Sequence, residues 1–118
     1  MTTKIKHAKG DHRSTCPIAT TLDIVGDKWT LLIVRDIGLF DKHRNKDFQA
    51  GSERIPSNIL ASRLKKLVAD GLVEKRPYQD NPPRYEYHLT PAGEGLLPVV
   101  KEMAKWANRF VDGVVKPG

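Results

Sequence analysis

Ile18, Leu22 and Val25 recur at helical spacing, and Gly26 follows them as a stop. Proline suits the first turn of a helix, so a helix is predicted to open at Cys16-Pro17. Asp27 is a good cap for a second helix, in which Trp29, Leu32, Ile33 and Ile37 form one stripe while Leu31 and Val34 make the opposite side apolar. Such a helix is expected to be buried. Asp41 to Lys46 reads as a charged turn, and Asp47 to Glu53 as a short, weakly helical segment anchored by Phe48. The next helix runs from Ser57, its expected N-cap, to Asp70, with Gly71 as a left-handed stop. At about 100° per residue, Leu60, Leu64 and Leu67 lie within about 60° of one another, whereas Asn58, Ser62, Lys65 and Ala69 fall on the far side. One face is expected in the core and the other, small, polar and cationic, in solvent.

Leu72 to Arg76 reads as a strand, and Tyr85, Tyr87 and Leu89 alternate with Glu86 and His88 as a second. Together they predict a hairpin whose tip, Pro77 to Pro83, is expected to project as a loop that holds Arg84 away from the sheet. Thr90-Pro91 caps a last helix, which Pro98 is expected to kink or restart. Its apolar stripe, Leu96, Val100, Met103, Ala107, Phe110 and Val114, is widened by Leu97, Ala104 and Val111. The plainer reading packs this stripe on the first helices alone; its width also predicts a second subunit. The order of elements is that of a winged helix: an α+β fold, mostly helical, a winged helix-turn-helix with a two-stranded β-wing and a C-terminal dimerisation helix.

The 118 residues suffice for one small domain. Residues 1–15 are expected to be a flexible basic arm, 16–112 the winged-helix domain with its dimerisation helices, and 113–118 a tail. Twenty Lys and Arg against 14 Asp and Glu give a net charge of +6, and residues 54–84 hold seven cations against three acids. A polyanionic partner is therefore expected, and an open polar helix face fits the major groove of duplex DNA. The expected contacts are Ser57, Asn58, Ser62, Arg63, Lys65 and Lys66 on the helix and Arg76, Gln79 and Arg84 on the wing, with Arg84 entering the minor groove. The alternatives are that these are merely solvated charges, or that the fold binds protein or nucleic acid without sequence preference.

Other chemistry finds little support. The single cysteine, Cys16, excludes a disulfide within the chain and any cysteine-cluster zinc site. His7, His12, His43 and His88 lack paired metal-ligand spacing, so no metal is expected. Gly93-Glu-Gly95 lacks the strand and third glycine of a dinucleotide loop, and no nucleophile elbow occurs. Neither a cofactor nor an enzyme is expected. Asp23, Asp27 and Asp36 read as caps and surface salt links, and Trp29 and Trp106 as packing groups, although a cavity between subunits could hold a small apolar effector. No apolar run is long enough for a signal sequence or membrane span, so a soluble, cytoplasmic protein is expected.

Cys16-Pro-Ile18, Gly26-Asp-Lys-Trp-Thr-Leu-Leu32, the leucine-rich run Ser57 to Leu67, Asp70-Gly-Leu-Val73 and Pro82 to Pro91 resemble, in order and spacing, the HxlR-type winged-helix regulators of bacteria and archaea. The resemblance implies a homodimer joined through the first and last helices, here Ile18, Leu22, Val100, Met103, Ala107, Phe110, Val111 and Val114. It also implies a roughly palindromic DNA site and repression or activation of neighbouring genes. Gly51-Ser52 departs from a more helical, leucine-containing segment of the family, so the positioning helix is expected to be short or irregular. Some members sense oxidants or electrophiles through a cysteine at the place of Cys16, where the helix start and nearby Arg13 would favour the thiolate. The other reading of Cys16 is a small residue that fills space.

Overall fold

At Cys16 the chain is extended, and Pro17 turns it into α1, Pro17–Val25. The computed structural model describes residues 14–115. Most of the expected arm, with His7, His12 and Arg13, and the end of the tail lie outside the described residues. Beyond α1 come α2 (Thr30–Phe40), α3 (Asn45–Gln49), α4 (Ser57–Ala69), β1 (Val73–Asp80), β2 (Pro83–Leu89), α5 (Pro91–Glu94) and α6 (Leu97–Phe110). This is the expected winged helix-turn-helix, with the positioning helix α3 reduced to five residues.

Trp29, not Asp27, is the residue that precedes α2, but Asp27 serves its start from the turn before: Oδ2 accepts the amides of Trp29 and Thr30, both at 3.0 Å, and Oδ1 accepts the Thr30 hydroxyl. Ile33, Val34 and Ile37 of α2 meet Phe48 of α3 and Leu60, Leu64 and Leu67 of α4 in one buried cluster. The three α4 leucines are only 1–2% exposed, and burial of each contributes roughly 2 kcal/mol. Asp36 is not the surface group expected; it is buried beside Arg35, whose Nη2 lies 2.7 Å from Oδ1. Arg35 also reaches Glu53 at 2.9 Å, and that bond holds the Glu53 carboxyl down to about 2. An unpaired carboxylate at Asp36 would be costly, and the guanidinium offsets part of that cost.

Two boundaries differ from expectation. Pro56 supplies the extended residue before α4, so Ser57 is the first helical residue rather than the cap and its hydroxyl bonds no backbone amide. The wing tip is not a loop from Pro77 to Pro83: β1 and β2 pair from Val73↔Leu89 out to Asp80↔Pro83, with an irregularity between Pro77 and Gln79. A two-stranded ribbon has outer edges on both sides, so Pro77 sits opposite Tyr85 without removing an essential ladder bond. Asn81 and Pro82, joined by a cis peptide, make the turn. Pro98 restarts the last helix: α5 ends at Glu94, and Pro98 lies in the first turn of α6. Gly71 takes the expected positive φ of 78° after α4. Gly93 is required by contact, since a Cβ there would run into the Leu72 carbonyl.

Candidate nucleic-acid interface

Burying the three leucines leaves Ser57, Asn58, Ser62 and Lys65 exposed on the opposite side of α4. Among the described residues none of these side chains has a hydrogen-bond or ion-pair partner, so their donors and acceptors remain available. Arg63 and Lys66 lie on the flank facing the α1–α2 turn. Arg63 Nε donates to Asp27 Oδ2 at 3.0 Å; Lys66 Nζ donates to Asp70 at 2.7 Å and to the Ile24 carbonyl at 3.4 Å. These two therefore tie α4 to the protein as well as carrying charge.

On the wing, Arg84 is exposed and has no side-chain partner among the described residues, but it lies within β2, opposite Gln79, rather than held off the sheet by the prolines. Gln79 Nε2 donates to the Pro82 carbonyl at 3.0 Å, and Arg76 pairs with Glu74 at 3.2 Å. The structure thus gathers Ser57, Asn58, Ser62 and Lys65 on one face and Gln79 with Arg84 at the tip. Sequence reasoning missed the residues beside that tip. Arg44 stacks on Tyr78, with Cζ 3.8 Å from the ring centroid, and Lys75 covers Tyr85 at 4.3 Å. The alternation of Tyr85 and Tyr87 marks the strand, but no local signal brings Arg44 to it.

The wing is fastened at its base by His43. The Tyr87 amide donates to the His43 carbonyl at 2.8 Å, and His43 Nδ1 bonds the Tyr87 carbonyl at 2.8 Å. Nε2 meets Asp41 at 2.7 Å, and the ring stacks on His88 with centroids 4.3 Å apart. His88 in turn bonds Glu86 at 3.0 Å. Burial lowers the His43 pKa, but the Tyr87 carbonyl and Asp41 carboxylate outweigh it and raise the value.

Exposed apolar side chains stand on α1 and on α6. Leu96, Leu97 and Val100 pack on the core, whereas Met103, Trp106 and Phe110 are 52%, 62% and 63% exposed and Ile18 is 72% exposed. Of the expected interface residues, Leu22, Val111 and Val114 are also exposed, Ala107 is half-buried, and Val100 is spent largely on the chain's own core. Trp106 is not the packing group expected. Its spacing of three from Met103 and four from Phe110 was the signal that places it on their row. Cys16 is exposed at the start of α1. The amides of Ala19 and Ile18 facing its sulfur lower the thiol pKa, although neither closes a capping bond of normal geometry. No helix among the described residues is long and apolar enough to cross a membrane.

The chain is similar to several known proteins. The chain is 34% identical over 101 residues to YdeP of Bacillus subtilis, named an uncharacterized HTH-type transcriptional regulator, covering 86% of this chain and 78% of that one. It is similar to the reduced form of the redox regulator HypR, with 33% identity, a TM-score of 0.74 and coverage of 82% of this chain and 95% of that one. The reduced transcriptional regulator YodB of B. subtilis gives 30% identity and a TM-score of 0.66, covering 86% of this chain and 100% of the other. The family model of HxlR-like helix-turn-helix proteins matches residues 24–114. With its helix-turn-helix, its ribbon and these relatives, the chain belongs to the HxlR-like family of helix-turn-helix transcriptional regulators.

Proposed function

We propose that this regulator works in the cytoplasm as a homodimer that reads a roughly palindromic duplex, with α4 in the major groove and the wing at the minor groove. Residues 16–112 form the DNA-binding and dimerisation unit, flanked by the basic arm 1–15 and the tail 113–118. The observation that carries this reading is α4 itself: its leucines are sealed in the core while Ser57, Asn58, Ser62 and Lys65 stand open without partners. Arg84 and Gln79 extend the surface along the wing, Arg76, paired with Glu74, lies midway along it, and Arg63 and Lys66 supply charge from the flank of α4. The exposed row of Met103, Trp106 and Phe110, with Ile18 and Leu22 on α1, supports the second copy.

The test is a binding series across salt, comparing duplexes enriched from a random pool with a random-sequence duplex. The enriched duplex is expected to bind at least about a thousandfold more tightly at physiological salt, with both affinities falling as salt rises. Equal affinity at every salt would leave only a non-specific winged-helix module. Cys16 supports a second layer of this reading, because it is exposed with a lowered pKa and because HypR carries the name redox regulator. Mild thiol oxidation is then expected to change duplex affinity in the wild type and not in Cys16→Ser; no change in either disposes of the switch.

A further inference from the structure

The fastening between the wing and the segment joining α2 to α3 has two halves that respond differently to protons. In one, the Tyr87 amide donates to the His43 carbonyl at 2.8 Å, a backbone bond indifferent to pH. In the other, His43 Nδ1 faces the Tyr87 carbonyl at 2.8 Å while Nε2 faces Asp41 Oδ1 at 2.7 Å. Both of those oxygens are acceptors, and a neutral imidazole has one proton for the two of them. The carboxylate is the stronger acceptor, so the neutral ring gives it that proton and turns a lone pair on the Tyr87 carbonyl. The imidazolium donates to both. The surrounding charges favour that form. On β2, Glu86 is paired with Arg44, 3.7 Å from Nε, and with His88 Nε2 at 3.0 Å; Lys42 Nζ lies over the Phe40 ring at 5.9 Å. Asp41 and Glu86 against Arg44 leave one negative charge, which a single imidazolium balances. His88, stacked on His43 at 4.3 Å, meets its bond to Glu86 as a neutral ring, so the added proton belongs on His43.

We propose that proton uptake by His43 fastens the wing to the helical body and thereby couples duplex affinity to pH, binding growing tighter as pH falls from about 8 to about 6. The inference rests on the DNA-binding reading above. Gln79 and Arg84 lie at the far end of the ribbon whose strand β2 is anchored at Tyr87. A ribbon already held in place needs less ordering when the duplex arrives, so the fastened form binds more tightly. The direction follows from the contacts. Burial lowers the His43 pKa, but the Tyr87 carbonyl, Asp41 and Glu86 outweigh it and raise the value. The charged contact is therefore complete below the ordinary imidazole value of about 6.5 and is lost as pH rises through the folded-state value.

The experiment measures affinity of the full chain for an enriched duplex from about pH 6 to about pH 8 at fixed salt. Wild-type affinity is expected to fall at least about threefold over that range. His43→Gln should abolish the dependence. Asp41→Asn suits the left-handed backbone at that position, where φ is 54°, and its amide can donate to Nε2. The ring proton is then free for the Tyr87 carbonyl, so this variant should stay tight to the top of the range. The double variant His7→Gln/His12→Gln, which leaves the fastening untouched, should keep the wild-type profile. Should His43→Gln fail to fold, Asp41→Asn still decides. A flat wild-type profile, the wild-type decline persisting in His43→Gln or Asp41→Asn, or its loss in the double variant would overturn the proposal. Those results would spare the DNA-binding reading, whereas failure of the wild type to bind any duplex would remove both.

Discussion

At the scale of single residues, Asp27 explains why cations that look alike in the sequence are not alike in the molecule. Burial raises its pKa, but the Thr30 hydroxyl, the Trp29 and Thr30 amides and Arg63 together bring it below the ordinary value. The carboxylate is thus ionised and holds Arg63 to the start of α2, while Lys65, two residues on, has no partner among the described residues. Asn58 and Lys65 should accordingly fail in different ways. Asn58→Ala is expected to lose about 1–3 kcal/mol of discrimination between the enriched duplex and single-base variants of it. Lys65→Ala should weaken all duplexes evenly and reduce the salt slope by about 1. Competition binding against a panel of variant sites separates the two, and the reverse pattern would mean that α4 presents a different face.

Among the elements, the wing depends on a histidine that no motif announced. Both ring nitrogens of His43 face acceptors, the Tyr87 carbonyl and the Asp41 carboxylate, so the doubly protonated ring satisfies both contacts and the neutral ring only one. His88 stacked above, Glu86 beyond it and Arg44 nearby complete the charges at this corner. With its folded-state pKa raised, His43 contributes stability that is fully present below the ordinary imidazole value, about 6.5, and is lost as pH rises through the folded value. Exchange of the Tyr87 amide, followed from about pH 5 to about pH 8 and corrected for its intrinsic pH dependence, should show protection declining with pH in the wild type. A flat profile in the wild type, or the same decline in His43→Gln, would contradict this. The helices were legible because their signals are local: leucine spacing in α4, proline at the start of α1 and Gly71 at a stop. The long ribbon and the contact of Arg44 with Tyr78 were not, because both come from pairing across the chain, and the Pro and Asn residues near the tip read locally as a loop.

At the scale of the whole molecule, the width of the α6 stripe signalled more apolar surface than one copy covers, but not which residues would be left outside. Leu97 and Val100 go inward because α6 packs on α2 there, and Trp106 and Phe110 remain bare. Trp106→Glu and Phe110→Glu are expected to convert the proposed dimer to monomer in sedimentation and to weaken binding to a palindromic duplex by at least about tenfold, with little effect on a single half-site. A dimer that survives both substitutions would place the interface elsewhere.

The corner where the α1–α2 turn meets α4 has a mechanical consequence. The buried leucines fix both how deeply α4 sits and which face it turns outward. Arg63 on Asp27 and Lys66 on the Ile24 carbonyl act as a two-point stop against roll about the helix axis. A turn of one residue, about 100°, would pull both off their anchors as well as lift the leucines from the core, so the angular setting of Asn58 and Lys65 is enforced from two sides of the helix.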